Sequence, residues 1–491
     1  MRRWSLLDRW LLIFGVLGLL FFVWLNWDDP SLQEPGTVTR DAAVEQAAAL
    51  WKARGVDVLG LQVNATLTSD TMTDGYLGRN GLHQQFQETA PKEAPVVTWH
   101  IVFYQKTGSE SYSAHVDPLN GKVVSYGQNG VSDRAALDYK GAGDTALAAL
   151  GAMGLDTSRL KPTVPDHLDP RADTNIAAFA WKVDAWKLQD LTLKWQVTVQ
   201  GDHAVGVSYA YEVPQDFKEW KSTQTGIGTL LTFLSVAFTF VLFVLAFVFL
   251  FLVKGKKPLR TALLLSLVVF VLMLVSNLNT LPAVAGDTLE SGMGALERYV
   301  GSAIAVVIVG VLAFLVAGAT YPMIVTGGLL VQEVNPKLWT PWRSPEWADV
   351  MRKAVWRGYA LAFVWLALQT VFYWAGETLF GVWGENDYTM SPINNWVPAL
   401  FPAMGWMAGI QEELAYRLFG VTFFKRYWKN AFVATLIPAM VWALGHSLYP
   451  VYPIYTRFVE LTIFGVIIGY CYLWFGIEAV IFAHVIFDVV Q

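Results

Sequence analysis

The alternation of apolar and polar stretches divides the chain into three zones. Residues 10–27 form a charge-free apolar run, preceded by Arg2, Arg3 and Arg9 and followed by Asp28 and Asp29. From Asp28 to about Lys221 no run is long and apolar enough to cross a bilayer, whereas beyond Lys221 apolar runs recur to the end of the chain. A spanning helix needs about 20 mostly apolar residues. Residues 226–253, 263–275 with their flanks, 301–330 and 354–374 predict four such helices. Residues 396–419, 431–448, 458–475 and 477–490 predict four more, the last of them short. Pro322 predicts a kink or an end in the third membrane run.

The pattern therefore predicts an α-helical polytopic membrane protein of about nine spans, one N-terminal anchor plus an eight-helix bundle, with an inserted α+β extracytoplasmic domain. Basic residues fall in alternate loops: Lys254, Lys256, Lys257 and Arg260, then Lys337, Arg343, Arg352, Lys353 and Arg357, then Lys425, Arg426 and Lys429. All lie on the side of the N-terminus, which this bias puts in the cytoplasm. A cleaved signal peptide is the rival for the first run, but no small-residue cleavage site follows Trp27. The expected divisions are an anchor at 1–27, an outer domain at 28–223, early membrane helices at 224–350 and a C-terminal core at 351–491. An anchor plus a large outer domain suits a bacterial inner membrane.

Within the outer domain, Ala43, Ala47, Leu50 and Trp51 recur at helical spacing, and residues 96–103 and 111–115 alternate like strands. Asn120-Gly121 predicts a tight primed turn in a hairpin over residues 117–126. A second helix opens near Asp144 with Ala146, Ala149 and Leu150, and strands follow at 178–183 and 193–199. Two helix-then-strand repeats are expected. Asn64-Ala65-Thr66 matches a glycosylation acceptor, to which no role is assigned.

Composition narrows the class. The apolar fraction is 54% and the charged fraction 15%, well below the roughly 25% usual in soluble domains. A net charge of -5 argues against nucleic acid as a partner. The single cysteine, Cys471, excludes an intrachain disulfide and reads as a small buried hydrophobe.

The chemistry concentrates in the last 80 or so positions, where Glu412, Glu413, Arg417, His446, His484 and Asp488 interrupt apolar runs. Ionisable groups in hydrocarbon cost a few kcal/mol each and usually line a site or pair. Glu413 and Arg417 are four apart and can pair on one helix face. Glu412 is turned about 100° away and can point into a cavity. His484 and Asp488 repeat the four-residue spacing, and Trp442 shares a face with His446. Such pairs also serve as glue between membrane helices at about 1 kcal/mol each. Glue would leave Glu412 and His446 without partners unless they met, so a catalytic or metal site is the reading preferred. Two imidazoles with carboxylates suit a divalent metal such as zinc with an open water position, and the need for metal stays open. Straight spans perpendicular to the bilayer would put His446 roughly 25 Å from the basic side and His484 roughly 10–13 Å.

These residues resemble the CAAX-protease and bacteriocin-processing (CPBP, or ABI) family of intramembrane endopeptidases. Glu412-Glu413-Leu414-Ala415-Tyr416-Arg417 matches its Glu-Glu-x-x-x-Arg motif, His446 the histidine of Phe-x-x-x-His, and His484 that of the terminal His-x-x-x-Asn. Trp442 replaces the aromatic of the second motif and is expected to pack; Asp488 replaces the final Asn. The resemblance covers roughly residues 351–491. Residues 116–123 also resemble, over a short stretch, the extracytoplasmic repeats called PepSY domains, which are associated with peptidases.

The family resemblance implies hydrolysis of a peptide bond of a membrane-associated protein or peptide, within the bilayer. It implies that Glu412 with His446 activates water, that His484 and Asp488 polarise the scissile carbonyl or steady the oxyanion, and that Glu413 and Arg417 support them. It places the site toward the cytoplasm. Two other classes compete: a non-catalytic sensor or scaffold whose outer domain binds a ligand or protein, and a transporter that carries protons on Glu412 and the histidines. No inverted repeat is visible, which weakens the last.

Overall fold

The computed structural model describes residues 5–26, 36–130, 139–163, 176–290, 295–389 and 391–490. Arg2, Arg3, Trp27, Asp28 and Asp29, which orient the first span above, lie outside them.

An apolar helix, α1 (Leu6–Asn26), precedes a sheet domain. In chain order that domain comprises α2 (Arg40–Ala53), β1 (Gln62–Ser69), α3 (Thr71–Asn80), α4 (His83–Thr89), β2 (Val97–Tyr104), β3 (Ser111–Val116), β4 (Val123–Asn129), α5 (Tyr139–Ala152), β5 (Leu160–Thr163), β6 (Ile176–Leu188), β7 (Leu191–Gln200) and β8 (His203–Glu212). The strands form one antiparallel sheet in the order β1-β2-β3-β4-β8-β7-β6-β5. Each half opens with a helix and forms four sequentially paired strands, with α3 and α4 inserted between β1 and β2 in the first, and the last strand of each half meets the other at Tyr126 opposite Val207. The helix α2 buries Ala43, Ala47 and Trp51, the stripe its periodicity predicts. Trp51 packs edge-on against Tyr112 and Tyr126.

The expected hairpin joins β3 to β4, but not through a primed two-residue turn. Such a turn needs positive φ at both central residues, and only Gly121 has it, at 73°. The Asp117 carboxylate instead accepts the Leu119 N–H at 2.8 Å and the Asn120 amide at 2.6 Å, which holds a wider loop.

The membrane portion follows as α6 (Gln215–Leu252), α7 (Leu259–Asn279), α8 (Leu281–Glu290), α9 (Ala295–Val334), α10 (Trp347–Phe380), α11 (Pro402–Glu412), α12 (Thr422–Trp428), α13 (Ala431–Leu444), α14 (Tyr455–Phe475) and α15 (Ile477–Val490). A π-helical stretch, Glu413–Val421, joins α11 to α12 without a break. Among the described residues six helices are long and apolar enough to cross a membrane: α1, α6, α7, α9, α10 and α14. The chain is an integral membrane protein. Phe233, Phe240, Val307 and Phe314 stay exposed on α6 and α9, as suits a lipid-facing surface.

Three features depart from the expected spans. Helix α9 does not end at Pro322 but runs on to Val334, because Met323, Ile324, Val325, Leu330 and Val331 are buried against neighbouring helices. Residues 398–400 form a short 3₁₀ turn, so the segment expected from 396 becomes helical only at Pro402. Helix α13 stops at Leu444, before the expected 448.

The first helix is more than a tether. Gly15 lets α1 lie on α10, since a Cβ there would sit 2.8 Å from Ala360 Cα. Arg357 of α10 donates to Asp8 of α1 through Nε and Nη2, at 2.9 and 2.7 Å.

Two loops connect the sheet domain to the C-terminal helices. Short strands β9 (Trp383–Gly384) and β10 (Val451–Tyr452) pair between the α10–α11 and α13–α14 loops, with the Trp383 and Tyr452 rings stacked at 4.6 Å. The Asp74 carboxylate accepts the Asn386 N–H at 2.7 Å, and Lys221 Nζ lies 2.7 Å from Glu385 Oε1. Desolvation outweighs Lys221 and raises the Glu385 carboxyl above its ordinary range.

Candidate intramembrane active site

All six residues expected at the site gather where α11, the π stretch, α13 and α15 meet. Glu413 and Arg417 lie deepest, 0% and 1% exposed, with Arg417 Nη1 3.0 Å from Glu413 Oε1. That pair is close but out of line for a hydrogen bond, so its attraction is ionic. The Arg417 guanidinium also sits 4.4 Å over the Trp442 ring, a cation–π contact in a dry setting. The π stretch carries these residues, and π turns inside helices concentrate at functional sites.

Glu412 is the more accessible acid, as its rotation from Glu413 predicts. Trp442 Nε1 donates to Glu412 Oε2. Glu412 Oε1 lies 3.9 Å from His446 Nε2, and Oε2 lies 3.8 Å from His484 Nε2. The two histidines, which straight perpendicular spans would leave at different depths, thus flank one carboxylate. His446 sits in the turn after α13, where its Nδ1–H donates to the Trp442 carbonyl at 3.0 Å. That bond fixes the tautomer and leaves Nε2 as the free acceptor.

His484 carries the opposite wiring. Its Nδ1–H donates to Glu413 Oε1 at 2.8 Å, a partner the spacing alone did not indicate. Its Nε2 lies 3.6 Å from Asp488 Oδ2. Helix α15 reaches this position because Gly409 lets α11 pack against it: a Cβ there would sit 2.7 Å from Val485 Cγ2. Ser447, next to His446, is buried, and its hydroxyl has no hydrogen-bond partner among the described residues.

The geometry does not gather these side chains as a metal cage. Among the described residues, no three of Glu412, His446, His484 and Asp488 bring one ligand atom each within 4.8 Å of the others. A tetrahedral zinc site needs donor atoms about 3.4 Å apart.

Several neighbours of this set were not read from the sequence. The Trp442 indole N–H, expected only to pack, donates to the Glu412 carboxylate. Tyr416 shares a 3.0 Å hydroxyl hydrogen bond with Thr239 of α6. On α14, Arg457 pairs with Glu460 at 2.8 Å, and Tyr373 donates to Glu460 at 2.6 Å. The Arg457 guanidinium lies 5.0 Å over the Tyr449 ring, which lies 5.6 Å from His446. Two opposite charges three residues apart in an apolar run are the signal that would have found this network.

Comparison with known proteins bears on the same segment. Residues 394–490 match a family model described as Type II CAAX prenyl endopeptidase Rce1-like, a narrower span than the expected 351–491. No curated protein and no solved structure matches the chain. The C-terminal helices of this membrane protein are thus similar, over residues 394–490, to the Rce1-like type II CAAX prenyl endopeptidases.

Proposed function

We propose that the chain is an intramembrane endopeptidase that hydrolyses a peptide bond of a membrane-associated protein or peptide with a water activated by Glu412 and His446. The observation that carries this reading is the 3.9 Å separation of Glu412 Oε1 and His446 Nε2. Both atoms are hydrogen-bond acceptors, so neither can bond the other. A water donating one hydrogen to each bridges such a gap and keeps a lone pair free for attack.

The remaining residues supply what the attack needs. Trp442 holds Glu412 Oε2, which leaves Oε1 to take the proton. His484, anchored through Nδ1 on Glu413, presents Nε2 to the same space and as imidazolium donates to the developing oxyanion. One such donor is worth about 2.7–4 kcal/mol in the transition state. Asp488, an acceptor when ionised, faces His484 Nε2 and steadies its ring. Arg417 balances Glu413.

The basic-loop bias supports an N-terminus in the cytoplasm and a sheet domain outside it, in a bacterial inner membrane. The mirrored strand order, with β4 and β8 at the centre, supports two PepSY-like repeats within residues 28–223. The six long apolar helices support nine passes when the π-linked α11–α12 segment, α13 and α15 complete the bundle.

Comparing membrane proteomes with the wild-type chain and with Glu412→Gln tests the function. Fragments that vanish in the variant identify the cleaved proteins. Identical proteomes, with the variant inserted at wild-type level, would instead favour a sensor or scaffold.

A further inference from the structure

Far from the carboxylates of the bundle, a second cluster of ligating groups joins the sheet domain to the helix ahead of α9. His100 on β2 and His115 on β3 are direct cross-strand partners. Their rings stack at 4.5 Å and 3°. Glu290, the last residue of α8, reaches down onto them, with Oε2 2.9 Å from His100 Nε2. His100 is 3% exposed, yet this nitrogen is not aligned for a hydrogen bond with Glu290 or with any other described residue. One donor atom from each of His100, His115 and Glu290 lies within 4.8 Å of the other two.

We propose that His100, His115 and Glu290 bind a divalent transition cation of the zinc class, which fastens the sheet domain to α8. Two imidazoles and one carboxylate are the donors such a cation prefers; calcium and magnesium take all-oxygen shells. The supporting bonds are those that orient metal ligands. Thr98 Oγ1 lies 2.9 Å from His115 Nδ1, which leaves Nε2 for the ion. Ser113 Oγ donates to Glu290 Oε1 at 2.6 Å, and Ser111 Oγ and Asn129 Nδ2 both donate to the Glu290 carbonyl. The three contacts to Glu290 fix the end of α8 on the sheet.

Binding turns the two rings out of their parallel stack so that both nitrogens point at one ion, a motion about the side-chain torsions that leaves the paired strands in place. The site lies outside the bundle and does not depend on the proteolytic reading.

Titration of the purified full chain with Co²⁺, followed by its ligand-field absorption and by metal content after gel filtration, tests this. The expected result is about one bound ion that persists in Glu412→Gln and in His446→Ala but is lost in His100→Ala and His115→Ala. Thr98→Val, which keeps the side-chain shape, should weaken binding about 10–100-fold, the range for losing an orienting partner. Glu290→Gln keeps the volume and should also release the ion, so the inference remains testable if a histidine variant misfolds. Undiminished Co²⁺ binding in Glu290→Gln and Thr98→Val, or none in the wild-type chain, overturns it.

Discussion

Glu412 Oε1 and His446 Nε2 face each other as two acceptors 3.9 Å apart, each held by Trp442: the indole N–H binds the acid, and the backbone carbonyl binds the imidazole. One residue therefore sets both the direction of the Glu412 carboxylate and the tautomer of His446. In Glu412→Gln the amide can still accept the indole N–H, so the fold should persist. It cannot take a proton from water. Cleavage of a membrane reporter should fall by about 10²–10⁴-fold, the usual worth of general base catalysis, with an unchanged melting temperature. Residual activity within a factor of a few of wild type would remove Glu412 from the reaction.

Trp442→Phe isolates the indole N–H. A phenyl ring retains an aromatic face for Arg417, which lies 4.4 Å away in the wild-type chain, while Glu412 loses a charge-assisted bond of about 1.5–3 kcal/mol. Turnover should drop about tenfold with KM unchanged, because the bond aims the base rather than the substrate. Steady-state kinetics on a peptide reporter decide the point. A rise in KM alone would show that Trp442 acts on binding.

Arg417 and Glu413 are a stability device as well as a support. Removing one partner of a buried ion pair strands the other charge, at a cost of about 3–5 kcal/mol. Arg417→Met alone should therefore unfold the C-terminal bundle at a markedly lower temperature in detergent. The double variant Arg417→Met with Glu413→Gln removes both charges and should recover much of the loss, although His484 then lacks its carboxylate and activity stays low. Failure of the second substitution to raise the melting temperature would show that the pair does not act as one.

The residues of this site were legible in the sequence because each carries a charge or an imidazole where the surroundings are apolar, so its position alone marks it. Glu412, His446, His484 and Asp488 were found in this way, and the structure brings them together. Their wiring was not legible. Four-residue spacing indicated the pair of His484 with Asp488, which lies 3.6 Å from its Nε2, but not the bond of its Nδ1 to Glu413 on another helix. Trp442 was read as packing because an indole advertises its ring before its N–H. Apolar runs located the membrane helices, but helix ends depend on packing: burial carries α9 through Pro322, and α13 stops short of His446. Strand alternation located β2 and β3, yet the order that brings β4 beside β8 rests on contacts between residues about 80 apart in sequence. Glu290 reaching His100 from α8 is of the same kind.

One residue of the α10–α11 loop binds both backbone groups of an edge-strand residue of the sheet domain. The Asn394 side chain accepts the Leu67 N–H at 2.7 Å and donates to the Leu67 carbonyl at 2.9 Å and the Tyr388 carbonyl at 2.7 Å. It is fully buried and covers β1, an edge strand whose open backbone groups would otherwise need water. Asn394→Ala leaves three backbone groups unpaired, and each buried loss costs about 1–3 kcal/mol. Residues 381–401 lead directly into α11 and Glu412, so loosening them should perturb the site without altering it chemically. Hydrogen exchange should quicken at Leu67 and through 383–396 while α13 and α14 stay protected, and turnover should fall severalfold. Exchange rates equal to wild type would mean that the loop is held by its other contacts, those of Asp74 and Lys221 among them, and that the sheet domain reaches the C-terminal helices by another route.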